Sequence, residues 1–193
     1  MKSSLTGAPL SRAFYERPAE VVARALLGKI LVHGAVSARI VETEAYLGLR
    51  DRAAHAWRGL TPRTKILFGP PGHAYVYLIY GIYECLNICA EPEGSPGCVL
   101  IRALEPLSGL GTMRKRRGDV KRDEDLANGP GKLTIAMGIT RRHNGADVTR
   151  GGLAVCEARG EAFDVGVSPR IGIRHNANWP LRFFIAGNAC VSR

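Results

Sequence analysis

The run "HAYVYLIYGIYECLNICAE", His73 to Glu91, constrains the fold more than any other stretch of the chain. Two aromatic and β-branched runs flank Tyr80-Gly81 with no other breaker between them, which is the pattern of a β-hairpin. Further strands are expected at "KILVHG" and "ARIVETEAY", joined by a short turn, and at "GCVLIRALEP", ended by Pro106. The last third adds the short strands "LAVCEA", "RIGIR" and "LRFFIA". "RPAEVVARALLGK" has Val21, Val22, Ala25, Leu26 and Leu27 at helical spacing between Pro18 and Gly28, so it reads as a capped helix. "RDRAAHAWRG" reads as a short helix, and "GPGKLTIAMGI" as a helix opened by its glycines and proline. No internal repeat or linker divides the chain. The expectation is one α+β domain over 1–193, with a mainly antiparallel sheet, a protruding hairpin and a flexible stretch over residues 1–15.

The hairpin tip is unusual. "LIYGIY" puts Tyr80 and Ile82 around a glycine, where hairpins usually carry polar residues. Packing of tyrosines across strands accounts for the arms but not for this tip. An apolar tip on a basic protein resembles a wedge of the kind that enters the minor groove and unstacks base steps, at a cost of a few kcal/mol per step. The chain is basic: 27 Lys and Arg against 17 Asp and Glu give a formal charge of +10. That excess suits a polyanionic partner, nucleic acid above all, although it also serves solubility alone. In "MRKRRGDVKRDED" the choice stays open between a solvated, disordered loop and direct DNA contact.

Other classes recede. No run of eighteen apolar residues is present, so no membrane span is expected. The first residues hold no apolar signal region, which favours a cytoplasmic location. Cys85, Cys89, Cys98, Cys156 and Cys190 are odd in number and include no C-x-x-C pair, so neither a disulfide framework nor a zinc site is expected.

The strand "ARIVETEAY" carries the chemistry. On alternating faces, Val41, Thr43 and Ala45 cover a core, while Glu42, Glu44 and Tyr46 share the other side. One reading is a solvated outer face. The other is a carboxylate at the wall of a cleft beside an aromatic platform. Side chains two residues apart stand about 7 Å apart, a spacing that also suits an acid/base or metal pair. His55 follows nine residues after Tyr46, and a lone histidine is more often structural than functional.

Seven segments in order, "IVETEAYLG", "AAHA", "YVYLIYG", "CLN", "VLIRALEP", "GPGKL" and "PLRFFI", closely resemble the alkyladenine (3-methyladenine) DNA glycosylase family, over nearly the whole chain from Pro18 to Phe184. The resemblance implies a single domain on a curved, open-barrel-like antiparallel sheet with surrounding helices. It implies a monofunctional enzyme of bacterial type. Such an enzyme turns alkylated or deaminated purines (3-methyladenine, 7-methylguanine, hypoxanthine, ethenoadenine) out of duplex DNA and hydrolyses the N-glycosidic bond without cutting the strand. Matched by motif, Glu44 is the catalytic carboxylate, and Arg102 and the carbonyl of Ile171 hold the attacking water with it. Tyr46, His55 and Tyr77 enclose the base, and Asn87 disfavours the guanine 2-amino group. Tyr80 intercalates, and Ile82 and Tyr83 lie near the minor groove. No metal or cofactor is implied; the partner is double-stranded DNA and the precedent is a monomer. Glu42 is expected to pair with an arginine. Two other readings remain at this point: a non-catalytic module that binds distorted DNA, and a phosphodiesterase in which Glu42 and Glu44 bind metal.

Overall fold

The computed structural model describes residues 6–158, 160 and 162–192. It is a single α+β domain built on a large, open, antiparallel sheet. In chain order the strands are β1 (Thr6–Pro9), β2 (Ile30–His33), β3 (Val36–Tyr46), β4 (Ala74–Ile79), β5 (Tyr83–Ala90), β6 (Gly97–Ser108), β7 (Leu153–Ala158), β8 (Val165–Ser168) and β9 (Arg182–Ile185). The helices are α1 (Arg12–Tyr15), α2 (Ala19–Leu26), α3 (Leu110–Arg117) and α4 (Pro130–Met137). The sheet runs β1-β7-β2-β3-β6-β5-β4, and the β8–β9 pair joins β3.

β3 is the hub. β6 lies along one edge, while β2 takes the first part of the other edge and β9 its end, at Glu42–Glu44. Helix α2 covers the Thr43 face, where the Thr43 hydroxyl donates to the Ala23 carbonyl at 2.8 Å. Val41 and Ala45 join the main core with Val22, Ala23 and Leu26 of α2. The opposite face of the sheet is where the site forms.

Both the hairpin and the capped helix form as the sequence indicates. At the tip, Tyr80 and Gly81 have φ of 54° and 70°, and the Ile82 amide donates to the Ile79 carbonyl at 3.2 Å. Positive φ at both central residues is the signature of a type I′ turn, which costs glycine little and tyrosine roughly 1 kcal/mol or more. Helix α4 begins at Pro130 and braces the hairpin: the Thr134 hydroxyl donates to the Glu84 carbonyl at 3.0 Å. Gly131 is required there, since a Cβ would lie 2.9 Å from the Tyr83 side chain.

Four expectations need correction. Residues 6–15 are not a loose end: β1 pairs with β7, and Tyr15 is fully buried; residues 1–5 lie outside the described residues. β6 continues through Pro106 to Ser108, because among the described residues only β3 pairs with it there and the proline's missing N–H falls on the other edge, where no described strand pairs. "RIGIR" is not a strand; its chain segment crosses the site, and the strand that precedes it is β8. The "RDRAAHAWRG" helix is only a 3-10 turn, His55–Arg58.

The basic segment is folded against the domain. Arg114 pairs with Asp123 at 2.7 Å, and Arg116 and Arg117 donate to the carbonyls of Ala136 and Leu126 at 3.0 and 2.9 Å. No helix among the described residues is long and apolar enough to cross a membrane.

Candidate active site

Strand register assembles the site in one row. Tyr75 stands opposite Asn87, Asn87 opposite Leu100, Leu100 opposite Glu44, and Glu44 opposite Arg182. Directly opposed residues share a face, so five strands contribute to one side of the sheet. In the next row Tyr46 lies opposite Cys98. Of these, Tyr46, Tyr75, Asn87, Cys98 and Leu100, with His55, Tyr77, Arg102, Pro130 and Ile171, wall a cleft of about 370 Å³ that rises to Tyr80 and Tyr83 at the hairpin.

Glu42 and Glu44 are both fully buried, so the solvated-face reading does not hold. Segments near the end of the chain cover that face. Glu42 Oε1 accepts from Arg102 Nε at 3.0 Å, Arg182 Nε at 2.6 Å and the Ser192 hydroxyl at 2.8 Å, and its Oε2 accepts from the Ser192 amide at 2.7 Å. The expected arginine pairing is thus met twice. With its oxygens held by these donors, Glu42 is not disposed as one half of a metal pair.

Glu44 sits just behind the cleft wall and is held by three groups that line it. The Tyr46 hydroxyl donates to Oε2 at 2.9 Å, and the Ile171 amide to Oε1 at 2.8 Å. Arg102 Nη1 is 3.4 Å from Oε1. Arg102 is the residue skipped in the β3–β6 register, which passes from Glu42↔Ala103 to Thr43↔Ile101. Such a bulge re-aims a side chain, and this one lets Arg102 reach both carboxylates. Burial raises the Glu44 pKa above its ordinary value; Arg102, the Ile171 amide and the Tyr46 hydroxyl oppose that rise without cancelling it. Burial, then the adjacent Glu44, pushes the Tyr46 phenol up, so it remains a donor.

The aromatic walls are fixed in turn. His55 and Tyr77 meet edge to face at 4.5 Å, and Tyr75 lies 5.3 Å from Tyr77. His55 Nδ1 is 2.9 Å from the Tyr75 hydroxyl, and Arg63 Nε donates to that hydroxyl at 3.3 Å. Burial, followed by the charge of Arg63, pushes the His55 pKa down to about 4, so the ring is neutral at physiological pH. Asn87 is anchored by its Nδ2 to the Tyr75 carbonyl at 3.3 Å. At the rim, Tyr80 is 81% exposed, Ile82 72% and Tyr83 44%.

Sequence reasoning missed a buried clamp. Arg170 and Asp51 form a bidentate, fully buried ion pair. Asp51 also accepts the amides of Leu47 and Ala53, which shape the loop leading to His55. The Arg170 guanidinium lies 4.6 Å from the Tyr46 ring centroid, and the next residue supplies the amide bound to Glu44. Tyr75, Arg63 and Ser192 were likewise not singled out. Alternation places Tyr75 beside Tyr77, but no local signal marks Asp51, Arg170 or Ser192.

Comparison with known proteins agrees with this geometry. The profile of the methylpurine-DNA glycosylase (MPG) family matches residues 13–189. A protein of Methanocella arvoryzae is 48% identical over 191 residues, covering 95% of this chain and 96% of its own length. One from Clostridium acetobutylicum is 46% identical over 198 residues, covering 95% and 97%, and one from Burkholderia lata is 48% identical over 190 residues, covering 96% and 92%. All three carry the name "Putative 3-methyladenine DNA glycosylase". With a near-complete match to the family and an aromatic cleft backed by a buried carboxylate, the chain belongs to the methylpurine-DNA glycosylase family and is a DNA N-glycosylase.

Proposed function

We propose that this glycosylase acts on alkylated and deaminated purines of duplex DNA, rotating the damaged nucleotide into the cleft and hydrolysing its N-glycosidic bond with a water activated by Glu44. The observation that carries this reading is Glu44 itself, a buried carboxylate whose three partners all line an aromatic slot beneath an exposed, apolar hairpin tip.

Each step follows from the residues. Tyr80 enters the stack and fills the gap left by the rotated nucleotide, with Ile82 and Tyr83 along the minor groove. The base lies among Tyr46, Tyr77 and His55. For a cationic base such as 3-methyladenine, each well-placed ring face contributes roughly 0.5–2 kcal/mol. A neutral His55 adds no like charge against it. Asn87, held by Tyr75, resists a guanine 2-amino group.

The C1′–N bond then breaks with its electron pair going to the base, which neutralises an alkylated purine and leaves an oxocarbenium-like sugar; a deaminated purine, neutral at the start, leaves as an anion and takes up its proton from solvent. Ionised Glu44 stabilises that cation. A water held between Arg102 and Ile171 attacks C1′, and its proton passes to Glu44. The products are free base and an abasic site in an unbroken strand.

The test is to incubate the protein with duplexes that each carry one lesion, and to identify the released base by chromatography. The reading requires free base with an intact strand. Release of no base from any of them, or strand cleavage without added base or heat, would refute it.

A further inference from the structure

Ser192 lies far along the chain from the catalytic strand, yet it is the residue most closely joined to the Glu42–Arg102 pair. Its amide holds Glu42 Oε2 at 2.7 Å and its hydroxyl donates to Oε1 at 2.8 Å. The same hydroxyl accepts from Arg102 Nη2 at 3.4 Å. Arg102 is thereby divided among three partners: Nε on Glu42, Nη2 on Ser192 and Nη1 on Glu44.

This division is not the arrangement an isolated pair would adopt. A guanidinium and a carboxylate prefer two parallel bonds, with Nε and the neighbouring Nη on the two oxygens. Ser192 occupies that second place twice over. Its hydroxyl fills the donor at Nη2, and its amide keeps Glu42 Oε2 turned away. We infer that Ser192 is a positioning residue for the excision chemistry, a wedge that prevents Glu42 from taking Arg102 as a bidentate partner and so keeps Nη1 on Glu44. The inference rests on the role proposed above for Glu44.

The groups facing Glu44 are Arg102 of β6, Tyr46 and Glu42 of β3, Arg182 of β9, the Ile171 amide, and Cys85 of β5, with Tyr77 of β4 behind Tyr46. Among the described residues that hold Glu44, Arg102 alone brings a positive charge. If Arg102 turns towards Glu42, the ionised form of Glu44 loses support and its pKa rises.

Ser192→Ala removes the hydroxyl and retains the amide. The acid limb of the single-turnover excision profile should move up by about one pH unit, roughly a tenfold loss of rate below the limb, with a smaller change on the plateau. Glu42→Gln should move the limb the other way, because it removes both the competitor for Arg102 and a negative charge beside Glu44. A limb unchanged in Ser192→Ala, or displaced in the same direction by both variants, would overturn the inference. If Ser192→Ala does not fold, Ser192→Cys, whose thiol is a weaker donor and acceptor, should move the limb up by a smaller amount, and an unmoved limb there would overturn the inference. The Glu44 midpoint can also be followed without DNA by NMR of 13C-labelled glutamate carboxyls, with Glu44→Gln used for assignment. Should the parent protein release no base from any lesion duplex, the proposed function fails, and this titration still tests whether Ser192 sets the Glu44 pKa.

Discussion

The Tyr46 hydroxyl donates to Oε2 of Glu44 at 2.9 Å, from two residues further along the same strand. The two side chains leave one face of β3, and the tyrosine both walls the cleft and holds the carboxylate behind it. Tyr46→Phe keeps the ring and removes the donor. A hydrogen bond to a charged group is worth roughly 1.5–3 kcal/mol, so the Glu44 pKa should rise further, by about one unit or more. The acid limb of the excision profile should move to higher pH, with lesion binding retained. An unmoved limb would show that the hydroxyl does not support the ionised carboxylate.

Glu44→Gln should lower single-turnover excision by roughly 100-fold or more while leaving lesion binding close to that of the parent. A non-catalytic module would show no change in either. The same variant reports on stability. Because the folded pKa of Glu44 lies above its ordinary 4.5, the folded state holds this proton more tightly than the unfolded chain. The stabilisation is complete below pH 4.5 and is lost as pH rises through the folded value. Denaturant unfolding at acid and neutral pH should therefore show the parent losing stability relative to Glu44→Gln as pH rises. A difference that does not vary with pH would contradict the raised pKa.

His55 should titrate near pH 4 in the folded protein, because burial and then Arg63 disfavour its cation. Between 4 and 6.5 the unfolded chain takes up a proton that the folded one refuses. The stability contributed by neutral His55 is thus full above 6.5 and declines as pH falls towards 4. Ring-resolved NMR titration measures this directly. Arg63→Gln should raise the midpoint, yet leave it below 6.5, since burial is the larger cause. A midpoint already at 6.5 in the parent would remove the neutral-pocket argument.

Tyr80 is 81% exposed at a left-handed position. Tyr80→Ala should change folding stability by no more than about 0.5 kcal/mol. Stacking on a base is worth roughly 1–3 kcal/mol, so affinity for a lesion duplex should fall about ten- to a hundredfold. Unfolding curves and fluorescence anisotropy on the Glu44→Gln background separate the two effects. Unchanged affinity would argue against intercalation.

The sequence by itself determined the elements whose signals are local. Alternation set Glu42, Glu44 and Tyr46 on one side of β3, the aromatic arms around Tyr80-Gly81 specified the hairpin, and Pro18 and Gly28 bracketed α2. Only the tertiary structure decided what lies over the carboxylate face. Periodicity reports which way a side chain points and not what returns to cover it. Arg182 and Ser192 reach Glu42 from 140 and 150 residues away, and Arg170 reaches Asp51 from 119 residues away. Arg102 stands between the two glutamates only because β6 carries an extra residue there. Those long-range contacts convert a strand that, read alone, favours a solvated outer face into one whose charges are buried, paired and directed at a cleft.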